Sequence, residues 1–284
     1  MVEKPNRLPL VIGATGHRDL RDRDIPALDE AVAEAVKRLK RDYLHDDPET
    51  PLVVLSSLAE GADRLVARVA MDLGAKLIAP LPMEASEYRH DFEHGLKPDA
   101  AAEFDRMKGD ALATPVMRFA QGNTRENIRE ESRRALQYRA VGLFIVRHCH
   151  VLVALWNGDE RDPAVGGTAE VVSFKRDGTG PVIHIVTPRA KPGGNVTEVI
   201  TEPWGLEFVT RYRALHRNYE PLPTEQRERR QFESWVAFEA KAASICQFNR
   251  EAAKLEVTSN VQERLNTSLS HLFDDTDEVV RKGS

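Results

Sequence analysis

The sequence predicts an α/β protein: an open, mostly parallel sheet flanked by helices, followed by a helical C-terminal extension. Three observations carry that prediction. Short continuous apolar runs recur along the first two-thirds of the chain, as strands buried on both faces require. Amphipathic stretches separate them, the alternation expected of parallel strands joined by crossover helices. After Arg189 the apolar runs stop and helical patterns remain.

Each element has its own signal. Pro9 to Ile12 begins the first strand, which breaks into Gly13-Ala14-Thr15-Gly16-His17-Arg18. Asp24 and Pro26 start a helix, because proline suits a first turn whose N–H groups have no intrahelical partner. Leu28, Val32, Val36 and Leu39 then fall on one face as the helix runs to Tyr43. Pro51 to Leu55 is the second strand, ending in Ser56-Ser57-Leu58-Ala59-Glu60-Gly61-Ala62-Asp63 before a helix that closes at Gly74. Ala75 to Ala79 is the third, stopped by Pro80 and Pro82. Helices are predicted over Glu87–Gly95 and Ala100–Ala113, and a short strand over Thr114–Phe119. A long helix should run from Arg125 to His148, capped by Asn123 or Thr124, with its arginines and glutamates paired along a wet face. His150 to Leu155 is the fourth strand, and Gly166-Gly167-Thr168-Ala169-Glu170 opens the next helix. Pro181 to Pro188 is the fifth strand. Residues 1–190 are thus expected to form the ligand domain. Residues 191–284 are expected to be a loop and helical extension for packing, oligomerisation or linkage, with Arg211–Pro223 irregular and helices over Thr224–Ser259 and Val261–Val280.

Composition narrows the function. Lysine and arginine number 40 against 45 aspartates and glutamates, a formal charge of −5, so general nucleic-acid binding is not expected. Cys149 and Cys246 lack the spacing of a disulfide framework or a zinc site. His90 and His94 stand at i, i+4 without a third ligand, so no metal is expected, nor any cofactor. No leader opens the chain and no apolar run is long enough for a bilayer, which predicts a cytoplasmic protein. Gly283-Ser284 reads as an appended dipeptide, and a natural chain that continued would allow a place at the cytoplasmic face of a membrane.

The chemistry gathers at three strand ends, the edge of an open α/β sheet where ligands bind. Gly13 and Gly16 permit a tight turn, while His17 and Arg18 supply a titratable ring and a fixed cation. Ser56, Ser57, Glu60 and Asp63 offer hydroxyls and carboxylates, although Ser56 or Ser57 equally suits a helix cap. Gly166, Gly167 and Thr168 at a helix start offer N–H groups and a hydroxyl to a phosphate. Trp156 either stacks on a base or packs as core.

Taken in order, the ATGHR, LAEGAD and ALWNG…GGTAE segments resemble the SLOG superfamily, named for the DNA-processing protein Smf/DprA and the cytokinin-activating LOG enzymes. The resemblance spans roughly Pro9 to Pro188. It implies a Rossmann-like domain that binds a nucleotide-derived small molecule: an ADP-ribose-like or cyclic nucleotide signal sensed in a bacterial antiphage or stress system. Gly13, Ala14, Thr15, Gly16, His17 and Arg18 would line one wall. Gly166, Gly167 and Thr168 would hold a phosphate, paired also by Arg18, while Ser57, Glu60 and Asp63, with Glu84 beside them, would meet ribose hydroxyls; Ser56, Trp156, Asn157 and Glu170 would line the same pocket. The implied partners are that ligand, further copies of the chain, and a fused or associated effector or membrane module. The alternative is a LOG-like nucleoside-monophosphate N-glycosidase or nucleotide hydrolase using Glu60, Glu84 or Glu170. LOG enzymes carry PGGxGTxxE, whereas Glu170 here follows Thr168 by two positions rather than three.

Overall fold

The computed structural model describes residues 7–161, 164–178, 180–190, 196–216 and 226–254. Its six-stranded sheet has the order β3-β2-β1-β4-β5-β6, formed by β1 (Leu10–Gly16), β2 (Leu52–Leu55), β3 (Lys76–Ile78), β4 (Val151–Trp156), β5 (Val182–Val186) and β6 (Ile200–Thr201). All neighbours are parallel except β5 and β6. The chain is a Rossmann-like α/β domain. Strand order reverses between β1 and β4, which opens a crevice at their carboxyl ends.

Side chains of the inner strands alternate between two apolar layers. Leu10, Ile12, Val54, Val153 and Ile185 face a layer that includes α1 (Ile25–Tyr43) and α2 (Ala62–Asp72). Val53, Leu55, Leu152, Ala154 and Trp156 face the other, with α5 (Glu131–His148) and α6 (Thr168–Gly178). Each such fully buried aliphatic side chain contributes about 2 kcal/mol. A pair of helices, α3 (Ala85–Glu93) and α4 (Ala100–Asp110), joins the first layer through Tyr88, Phe92 and Phe104, whose rings pack edge-on or tilted.

The C-terminal elements share that first layer. In α7 (Gly205–Leu215) and α8 (Gln226–Lys254), Val209, Trp235, Phe238 and Ile245 are buried against α1, where Tyr43 meets Phe238 edge-on. Asn249 of α8 bonds both backbone groups of Leu8, tying the last described helix to the entry of β1.

The structure departs from the sequence expectations at four places. β1 continues through Gly16, so Gly13 to Gly16 are strand and not turn; parallel pairing with β4 carries it on. Residues 114–119 form no strand among the described residues, only single bridges at Ala113 and Val116, because Pro115 cannot donate to a ladder. α5 starts at Glu131, not Arg125, since Thr124 accepts the N–H groups of Glu126 and Asn127 in a turn of its own and Asn123 is drawn to buried Gln137. The stretch after Arg189 contains β6 and α7, both too short and too mixed in polarity to show a period. The helix expected over Val261–Val280 lies outside the described residues, as does the loop Lys191–Asn195.

Candidate functional site

A cleft of about 740 Å³ lies at the carboxyl ends of β1, β2 and β4. Its floor is β1. At Gly16 a side chain would stand 2.3 Å from the Leu155 carbonyl oxygen and 2.5 Å from the Ala62 Cβ, so only glycine lets β4 and the start of α2 close on the strand. The next residue, His17, accepts the backbone N–H of Asn157 at Nε2, 2.9 Å away. Burial, with Arg189 adding to it, lowers the pKa of His17 to about 4. The ring is therefore neutral at pH 7, with its proton on Nδ1. Asp19 is buried beside it and paired with Arg189 at 3.0 Å. Arg18 reaches the opposite way, 3.8 Å from Glu60 and 3.4 Å from the Asp91 carbonyl.

The second wall comes from the loop after β2. Ser57 donates its hydroxyl to Asp63 Oδ2 at 2.7 Å, and Tyr88 of α3 lies against the pair. Between β2 and α2 the buried Leu58 holds φ at 59°, a conformation a bulky residue adopts only where its surroundings enforce it. Here Ser56 does so by accepting the Leu58 N–H and donating to the Asp63 carbonyl. Burial raises the Asp63 carboxyl to about 7, against the opposing pull of the Ser57 hydroxyl and of Arg64 and Arg18. Beside this pair, Asp91 accepts the Tyr138 hydroxyl at 2.5 Å and Arg134 at 2.7 Å. Burial, then Asp91, pushes the Tyr138 phenol upward, so it stays protonated.

The third wall is the first turn of α6. Gly166 adopts φ +71°, and a side chain there would meet the Ala135 carbonyl at 2.6 Å. Its N–H is already given to Glu170, and that of Gly167 to the Ala164 carbonyl. The two glycines thus close a turn instead of presenting free donors. Thr168 anchors the helix to the floor by donating its hydroxyl to the Gly16 carbonyl at 2.8 Å. Among the described residues the N–H groups of Thr168, Ala169 and Glu170 make no bond, and Thr168 and Ala169 line the cleft. They sit at the positive end of an 11-residue helix.

Of the residues singled out in the sequence, Ala14, Thr15, Gly16, His17, Arg18, Ser57, Asp63, Trp156, Asn157, Gly166, Gly167 and Thr168 line this one cleft. Gly13 lies within β1 against Cys149, and Ser56 is buried behind Ser57. Glu60 faces an adjoining cavity, where it accepts the N–H groups of Leu96 and Lys97. Glu84 is exposed at the start of α3, and Glu170 is turned to Arg139. The cleft also holds Asp19, Tyr88, Asp91, Tyr138, Arg161 and Arg189, none of them singled out in the sequence. Only Arg161 carried a visible cue, following Asn157 and Asp159 in the same loop. Among the described residues no group of three or more histidines, cysteines, aspartates or glutamates is placed to hold a metal ion. None of the described helices is long and apolar enough to cross a membrane.

No family model matches the chain, and no curated protein matches its sequence. Among solved structures, the fold is similar to the X-ray structure of DNA processing protein A (DprA) from Streptococcus pneumoniae, at 17% identity and a TM-score of 0.40. The match covers 66% of this chain and 52% of that one, so the chain spans about half the length of the protein it resembles. That likeness concerns the fold. It also corrects one expectation: the matched protein is named for DNA processing, and the exclusion of nucleic acid as a partner, drawn from net charge, is withdrawn.

Proposed function

We propose that the chain is a SLOG-type ligand-binding domain whose cleft takes a nucleotide-derived small molecule and acts as a sensor of it. One observation carries this reading: helix N–H donors that are unbonded among the described residues, and buried hydroxyl and carboxyl groups, face each other across a single cleft. The first turn of α6 suits a phosphate, because its donors and the helix dipole both favour negative charge. Ser57 and Asp63 suit ribose hydroxyls, which can donate to the Asp63 carboxylate and to the Ser57 oxygen, whose own proton is given to Asp63. The volume, about 740 Å³, is that of a site for a ligand of nucleotide size. A neutral His17 and paired Asp19 and Arg189 keep the floor rigid and supply no reacting group.

Thermal unfolding of the protein with AMP, ADP, ADP-ribose, cyclic dinucleotides and a single-stranded oligonucleotide tests this, with chromatography of each ligand afterwards. A sensor is stabilised by a small nucleotide that is recovered intact, since binding only the folded state raises its stability. Release of free base marks an enzyme instead. Stabilisation by the oligonucleotide alone contradicts the small-molecule reading.

A further inference from the structure

Asp63 is placed to do more than accept a hydroxyl. It lines the cleft, is buried, and takes the Ser57 hydroxyl on Oδ2. Among the described residues it has no ion-pair partner within 4.0 Å. The cations that face it are committed elsewhere: Arg64, from its own helix, is held by the Leu58 and Ala100 carbonyls and Glu103, and Arg18, from the segment after β1, leans on Glu60. From α3 it faces the Tyr88 hydroxyl, with Asp91 and His94 further along the same wall, and from the floor the neutral His17. Ser56, which accepts the N–H of the strained Leu58 and donates to the Asp63 carbonyl, fastens this loop to the start of α2. A carboxyl so held has spare acceptor positions open to the cleft and no countercharge to keep it ionised.

We infer that occupancy of the cleft is proton-linked through Asp63: a ligand presenting donor hydroxyls binds the ionised carboxylate and expels its proton. This rests on the nucleotide-ligand reading above. The proton leaves Asp63 for bulk water, the ligand hydroxyls donate to the freed carboxylate, and no covalent bond changes. Burial already raises this carboxyl to about 7, so both protonation states are populated at neutral pH. Acidification therefore empties the site and alkalinity fills it.

ADP-ribose is the probe, because its diphosphate carries no group that titrates between about pH 6 and about pH 8. Its affinity for the wild-type chain should rise about tenfold across that range. Calorimetry at pH 7 in two buffers of different ionisation enthalpy should show release of about half a proton. Asp63→Asn, similar in shape and without charge, should bind with no pH dependence, whereas His94→Asn should keep the wild-type profile. Ser57→Ala, which leaves the carboxyl without its hydroxyl partner, should move the midpoint of the profile to higher pH. Wild-type binding that is independent of pH, or a profile abolished by His94→Asn, overturns the inference and leaves the ligand reading standing. Absence of ADP-ribose binding at every pH overturns both.

Discussion

Two helices begin at the same cleft, and they are built in opposite ways. The first turn of α6 turns its glutamate aside, to Arg139 and the Gly166 N–H, and among the described residues leaves three backbone donors unbonded. The first turn of α2 does the reverse: it places a carboxyl, Asp63, inside the cleft and supports it with Ser57. A helix start normally favours the ionised form of an acid. At Asp63 burial outweighs the dipole, and the carboxyl is raised instead of lowered. One kind of element thus supplies a fixed positive end on one side and a titrating acid on the other. What decides between them is whether the first-turn acid points into the cleft or away from it.

The sharpest way to break this contrast is to neutralise the acid. The Asp63 carboxyl titrates near 3.8 in the unfolded chain and is raised by burial to about 7 in the folded one. A pKa raised by folding adds stability that is full below the unfolded value and is lost as pH rises through the folded one. Wild-type stability should therefore fall between about pH 4 and about pH 8 on account of this group. Asp63→Asn should remove that slope and stabilise the free protein by about 2–4 kcal/mol at pH 8, with little difference at pH 4. Chemical denaturation at the two pH values reads it directly.

A smaller effect comes from making α6 resemble α2. Ala169→Asp puts an acid in the first turn, where the dipole tolerates it and folding should persist. The added charge repels a phosphate, so ADP-ribose affinity should fall at least tenfold, about 1.4 kcal/mol, by calorimetry. Gly167→Asp is a poorer probe, because its side chain would meet the Ala164 carbonyl at 2.9 Å. The smallest effect is expected at Glu170→Gln. The amide still accepts the Gly166 N–H, and only the pairing with half-exposed Arg139 weakens. Stability should drop by about 0.5–1 kcal/mol while ligand affinity changes less than twofold. A large loss of affinity would place Glu170 in contact with the ligand and undo the contrast.

How far the sequence reveals this arrangement depends on the range of the forces involved. Strands β1, β2, β4 and β5 are visible because burial leaves a continuous apolar run, as in Leu52 to Leu55. The three loops are visible because glycines, hydroxyls and acids cluster where strands end. The start of α5 is hidden, because Asn123 looks like a cap until buried Gln137 is seen to claim it. So is the network of Arg134 with Glu87 and Asp91: those side chains suggest pairs within one helix, yet they bond between α3 and α5. The state of the glycines before α6 is equally hidden. Whether an N–H is free depends on one carbonyl and one carboxylate, and neither choice leaves a trace in composition.

Titrating the protein with ADP-ribose and following its amide chemical shifts shows whether the α6 donors receive the ligand. The N–H signals of Thr168, Ala169 and Glu170 should move together and most strongly, with a saturating dependence on ligand, while those of Gly166 and Gly167, already bonded to Glu170 and Ala164, should move less. Saturation with the α6 amides unmoved, and the largest shifts outside the cleft, would contradict that role of the α6 donors.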